Sequence, residues 1–287
     1  MFARTLTRTP AAATAALAAL ARTPAARGLH LKSLPFAVHK FTPHATLRHT
    51  LNAADAVDTP TPAVVVIQEW WGVDEQVRAH AQRIANCTGA VALVPDLYKG
   101  KVALDEAEAA HLMNGLDWKQ ALEDLASLVA VLRDAGHERR KVASLGFCMG
   151  GAMSLALGAR MQQVASAAPL NACVAFYGIP PAGLIDISQL PVRTPVQAHF
   201  GENDDHKGFS DAASARALEA RWAKAIKEHG GMHAHGLHSL EERVFVHPGV
   251  GHAFMNEVRK RSDFDSALVT RTWQQVFDFL TEHLKTV

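Results

Sequence analysis

Cys148 stands in the string Gly146-Phe147-Cys148-Met149-Gly150-Gly151, between the apolar run KVASL and the helix-like stretch AMSLALGAR. A thiol at a glycine-flanked strand-to-helix junction matches the G-x-S-x-G nucleophile turn, with sulfur in place of oxygen. The spacing has a physical basis. A turn sharp enough to push one side chain out of a sheet strains that residue's backbone, and glycines two before and two after remove side chains that would strike the adjoining strand and helix. At a helix N-terminus the dipole and unpaired N–H groups favour a thiolate, so a lowered cysteine pKa is expected here. The N–H of Met149, immediately after the nucleophile, is placed to bind a developing oxyanion. A phosphate-cradling loop is the poorer reading, because G-x-G-x-x-G would need glycine at position 148 and no Walker lysine follows.

An attacking thiol needs a base and a group that orients the base. Downstream, PVQAHF runs into GENDDH, which offers Asp204 and Asp205, and RVFVHP runs into GVGHAF, which offers His252. Nucleophile, acid, histidine is the chain order that accompanies such a turn. His252 lies between Gly251 and Ala253, with room to swing toward the sulfur, whereas His247 falls inside a strand pattern. Either aspartate fits at this stage. Glu69 is an oddity, a carboxylate closing a buried strand beside Trp70 and Trp71, with capping of the next helix as its plainer use.

These residues must be held by a scaffold, and the chain spells one out. Short β-branched runs at 63–68, 90–95, 141–147, 172–178, 195–200 and 243–248 alternate with helical patterns at 73–87, 118–136, 149–160, 211–228 and 265–285. Such alternation predicts parallel strands joined by helical crossovers, hence an α/β fold with a doubly wound, mostly parallel sheet covered on both faces. No second domain boundary or internal repeat interrupts it. Ligands of open parallel sheets sit beyond the carboxyl ends of the strands, which directs attention to Gln68–Trp71, Pro95–Tyr98, Cys148, Tyr177, Glu202–His206 and Gly249–His252. Trp71, Tyr98 and Tyr177 are thereby candidate pocket residues, with the two tryptophans equally able to pack the core.

The 287 residues, 48% hydrophobic and 20% charged with a net charge of +1, give no electrostatic reason to seek nucleic acid. Before residue 30 there are four arginines, Arg4, Arg8, Arg22 and Arg27, and no acidic residue. That composition predicts an organelle transit peptide over residues 1–30, mitochondrial before chloroplast because it lacks serine, followed by one catalytic domain over 31–287. Cys87, Cys148 and Cys173 are odd in number and widely spaced, which suits free thiols. After residue 30 no stretch has the length and apolarity of a membrane span, so no membrane partner is expected. The string HGGMHAHGLH at 229–238 invites a metal-site reading, but its glycines fix no geometry, and a mobile surface loop without metal is expected.

Taken together, the segments QEWWGVDEQVRAHAQRIA (68–85), PDLYKG (95–100), KVASLGFCMGGA (141–152), the YG of AFYG, FGENDDH (200–206) and GVGHAF (249–254) resemble the dienelactone hydrolase (carboxymethylenebutenolidase) family of α/β hydrolases. The likeness covers roughly residues 60–287, nearly the whole of the catalytic domain. It implies a single-domain α/β-hydrolase fold and hydrolysis of a small-molecule ester or lactone through Cys148, His252 and Asp204, the last taking the place of the family's aspartate in G-x-x-D. It further implies that Glu69 pairs with the thiol in the resting enzyme, and that the N–H groups of Met149 and Trp70 form the oxyanion hole. Neither metal nor organic cofactor is implied, and a monomer or small homo-oligomer is expected; the alternative on the same scaffold is a non-catalytic or redox-sensing thiol protein. One departure bears on the substrate: family members that act on dienelactone clamp its carboxylate with arginines. Here one of those places is Asn256, and 102–117 contains no arginine, leaving Lys99, Lys101 or Arg259 to approach from elsewhere.

Overall fold

The computed structural model describes residues 34–43, 61–134, 140–164, 167–229 and 243–285. The expected transit segment and almost all of the histidine-rich string at 229–238 lie outside the described residues. Elements in chain order are β1 (Val38–Phe41), β2 (Ala63–Ile67), α1 (Glu75–Thr88), β3 (Val91–Pro95), α2 (Glu106–Asn114), α3 (Trp118–Asp134) and β4 (Val142–Phe147). They continue as α4 (Met149–Gln163), β5 (Ala172–Phe176), the single turn α5 (Leu190–Arg193), β6 (Val196–Gly201), α6 (Ala212–His229), β7 (Val244–His247) and α7 (Ser266–Leu284). The strands form one seven-stranded sheet in the order β1-β3-β2-β4-β5-β6-β7. All neighbours run parallel except β1, which pairs antiparallel with β3 from Val38↔Pro95 to Phe41↔Ala92.

Strand β2, AVVVI, is buried at every position, because helices cover both faces of the sheet and neither alternate set of side chains meets water. Val65 and Ile67 face a core built with Leu125, Leu128 and Val129 of α3, Met153 of α4 and Trp222 of α6. Val64 and Val66 face the other core, with Val77 and Ile84 of α1 and Val269, Trp273 and Val276 of α7. On this second side Phe147, Phe176, His199 and Phe245, in register on β4 to β7, stack face to face at 4.9, 4.9 and 4.8 Å. Cys87 is exposed, Cys148 and Cys173 are buried, and all three are free thiols.

The sheet and the long helices fall where the alternation places them, with ends shifted by up to three residues, as at α3, which stops at Asp134, and α4, which runs on to Gln163. Three elements were not foreseen, the single turn α5 among them. β1 is four residues, VHKF, with a polar centre and no alternation long enough to read. Helix α2 lies in the segment 102–117 and buries only Ala109, so its apolar stripe is too thin to register; its start is fixed by Asp105, which accepts from Glu108 N at 2.8 Å.

Candidate active site

The turn between β4 and α4 holds Cys148 at φ 52°, ψ −118°, in the positive-φ range that non-glycine residues avoid. The strain is sustained on both sides. Cys148 N–H donates to Phe176 O at 2.9 Å on β5, and Cys148 O accepts from Ala152 N at 3.1 Å to open the helix. A Cβ at Gly146 would collide with the carbonyl of Gly150, and one at Gly150 with the carbonyls of Ile67 and Gln68. The glycines thus let α4 start directly beside the end of β2 and leave the thiol at the carboxyl edge of the sheet.

His252 Nε2 lies 3.2 Å from Cys148 Sγ, and its Nδ1 lies 2.7 Å from Asp204 Oδ2. An ionised Asp204 accepts from Nδ1–H, which leaves Nε2 as the acceptor facing the thiol. The two aspartates separate cleanly: the Asp204 side chain is 0% exposed, whereas that of Asp205 is 96% exposed. Asp204 Oδ1 is also held, by His206 N at 3.1 Å and His206 Nδ1 at 2.9 Å. Ser210 Oγ sits 3.1 Å from His252 Nδ1, and the Tyr177 ring meets that imidazole edge-on at 5.1 Å.

Electrostatics correct the expectation of a lowered thiol pKa. Burial raises the pKa of Cys148, the charge of Glu69 raises it further, and the opposing hydrogen bond from Met149 N–H does not overcome them. Both effects favour the protonated thiol over the thiolate. For Asp204 burial alone would push the carboxyl up, but hydrogen bonds and charge from His252, with further bonds from His206, hold it well below the usual carboxylate range. Burial raises Glu69 to about 7, against the hydrogen bonds from Tyr177 and Asn256.

Glu69 is not paired with the thiol. Its Oε1 accepts from Tyr177 OH at 3.0 Å and its Oε2 from Asn256 Nδ2 at 3.0 Å. Nor does it cap α1, which is capped by Asp74, whose Oδ1 accepts from Val77 N at 3.1 Å. Trp71 is buried against Ala103 and Ala109 with the Arg259 guanidinium 4.0 Å above its ring, so it packs a small core; Trp70 leans on it edge-on and is only half-buried. Tyr98 is buried with its OH donating to Met149 Sδ at 3.4 Å, next to the turn. Tyr177 adopts φ 38° beyond the end of β5, which turns its hydroxyl to Glu69. Of the cations expected to stand in for a clamp, Arg259 is engaged by Asp74 Oδ2 at 2.7 Å, and Lys99 and Lys101 are exposed.

Sequence reasoning missed Ser210, and it named His206 and Asn256 without giving a role to either. Only His206 had a signal, an aspartate two residues before it that closes a local turn onto its N–H. Asp204, His206 and His252 also form a group whose donor atoms lie within 4.8 Å of one another, but a metal ion there would have to break the Asp204–His252 hydrogen bond. Among the described residues no helix is long and apolar enough to cross a membrane.

Comparison with known proteins places the chain in a family. A family model described as "Dienelactone hydrolase family" matches residues 49–284. Protein usf of Aquifex pyrophilus is 29% identical over 233 residues, covering 78% of this chain and 89% of that protein. An Escherichia coli (strain K12) protein provisionally named carboxymethylenebutenolidase is 27% identical over 240 residues, covering 79% of each. In fold, the chain is similar to a dienelactone hydrolase-like promiscuous phosphotriesterase from metagenomic libraries, with TM-score 0.57, 21% identity, and coverage of 79% of this chain and 89% of that one. The chain belongs to the dienelactone hydrolase family and is an ester or lactone hydrolase of the α/β-hydrolase fold.

Proposed function

We propose that the enzyme cleaves a small ester or lactone through a Cys148-His252-Asp204 triad and a thioester acyl-enzyme. The observation that carries this reading is the continuous hydrogen-bonded chain from Cys148 Sγ through His252 to a fully buried Asp204, at 3.2 and 2.7 Å. As the substrate carbonyl approaches, His252 Nε2 takes the thiol proton while sulfur attacks the carbonyl carbon. The oxygen that gains the negative charge is received by the N–H groups of Met149 and Trp70. Collapse expels the alkoxide, which leaves as the alcohol with the proton from His252, and the acyl group stays on sulfur. Water, deprotonated by the same nitrogen, then attacks the thioester, and thiol and carboxylic acid are released. Asp204 holds the imidazole and stabilises its charged form in both halves. No step needs a metal or an organic cofactor.

Substrates without a carboxylate beside the ester fit best, since Asn256 occupies the place of one clamp arginine and Arg259, among the described residues, is engaged by Asp74. Cys148→Ala should abolish turnover of p-nitrophenyl acetate while leaving circular dichroism and thermal melting intact. Retained turnover would reject the mechanism, as would stoichiometric acylation of Cys148 with no deacylation.

A further inference from the structure

The side chain of Asn256 is buried, and both its ends are engaged. Its Oδ1 accepts from Val258 N at 3.1 Å and Arg259 N at 2.7 Å, and its Nδ2 donates to Glu69 Oε2 at 3.0 Å. The two backbone donors fix the orientation of the amide, because a flipped Asn256 would present hydrogens to hydrogens. The turn beneath is pinned again by Gln76 Oε1, which accepts from Glu257 N at 3.2 Å and Val258 N at 2.9 Å. Glu69 consequently meets a donor that cannot rotate away. Tyr177 OH, at 3.0 Å, holds its other oxygen.

A carboxylate gripped by two donors has its charged form favoured and its direction set. The remaining charged or titratable groups around Glu69 do not neutralise it. Asp74 and Arg259 act on it with opposite sign and are paired with one another at 2.7 Å, while Cys148 and Tyr177 are neutral acids held protonated by burial. Glu69 acts electrostatically on the sulfur yet makes no hydrogen bond to it. Tyr177 ties the two together: its hydroxyl donates to Glu69 and its ring meets His252 edge-on at 5.1 Å, so the carboxylate lies one side chain from the imidazole that faces the thiol.

Resting on the thiol-hydrolase reading above, we propose that Asn256 is a positioning residue that locks Glu69 off the thiol in one fixed direction, and that the ionised carboxylate filters substrates, admitting neutral esters and repelling acyl groups that carry an anion. Asn256 acts through Glu69 and touches no reacting atom.

The test compares a matched pair of activated esters, p-nitrophenyl butyrate and the hemiester mono-p-nitrophenyl glutarate, by the ratio of their kcat/KM values. The glutarate carboxyl has an ordinary pKa and is ionised from about pH 5.5 to 8.5, so any titration of the ratio belongs to the enzyme. Wild type should favour the neutral ester about tenfold or more at the alkaline end, through KM of the anionic one, and lose that preference as Glu69 takes a proton. Glu69→Gln should flatten the curve and bring the ratio near unity. Asn256→Ala removes a donor to the carboxylate and should move the midpoint to higher pH. The exchange Glu69→Gln with Asn256→Asp, which shifts the charge by one hydrogen bond, should restore discrimination. A wild-type ratio that is flat with pH overturns the filter, and this measurement needs no variant to fold. An Asn256→Ala midpoint unmoved from wild type overturns the role of Asn256. If Cys148→Ala keeps its activity, the hydrolase mechanism fails instead, and the two failures are told apart.

Discussion

At the scale of single residues, the site depends on which acid stands behind His252. Asp204→Asn should lower kcat by about three to four orders of magnitude, because the amide no longer selects the tautomer that leaves Nε2 free to accept. Asp205→Asn, at a side chain 96% exposed, should change kcat by less than about twofold. Steady-state kinetics on p-nitrophenyl acetate decides; equal losses would remove Asp204 from its role. Cys148, His252 and the aspartate pair could be read from sequence because glycine spacing and strand ends mark them locally. The grip on Glu69 could not, since its donors lie 108 and 187 residues away along the chain, where only the folded loops bring them together. The thiol's raised pKa was equally hidden: the helix terminus is local, whereas burial and the Glu69 charge that outweigh it are tertiary.

At the scale of elements, five of the seven described helices start on an aspartate that accepts from their first N–H groups, at Asp74, Asp105, Asp117, Asp211 and Asp265. Asp265 Oδ1 accepts from Ala267 N at 2.9 Å and Leu268 N at 3.0 Å to start α7, whose inner face supplies Trp273 and Val276 to the core. Asp265→Ala should destabilise the protein by about 1 kcal/mol, a drop in Tm of about 2–4 °C for a chain of this size. Differential scanning calorimetry reads it, and an unchanged Tm would show that packing alone holds the helix end. Long amphipathic or fully apolar segments were legible because each states its own period. β1 and α2 were not, since one is four residues long and the other buries a single alanine, leaving tertiary pairing to decide their form.

For the whole molecule, alternation of strand and helix was enough to expect a parallel sheet covered on both faces, because that pattern has few topological solutions. What it could not convey is how many ionisable rings the cores enclose. Burial lowers His80 to about 3 and His247 to about 4, and holds His199 well below the ordinary range. In the unfolded chain these histidines protonate near 6.5. Between that value and the folded ones the unfolded state binds more protons, so stability is complete above about pH 6.5 and falls as pH drops, by about 1.4 kcal/mol per unit for each ring. Glu69, raised to about 7, works in the opposite sense between its unfolded value and 7 and offsets part of the loss. Tm should therefore fall steadily from pH 7 to about pH 4.5, while a flat profile would mean that these rings titrate normally.

The sheet ends in two four-residue strands, β1 and β7, and β1 turns an exposed Lys40 to solvent. Borders so short offer an incoming chain few backbone groups to zip onto, and an ammonium beside them discourages stacking of like copies. Ribbon growth by edge addition to the native enzyme is thereby disfavoured, and amyloid-like polymers of this chain would have to start from molecules that have already lost their helical covering.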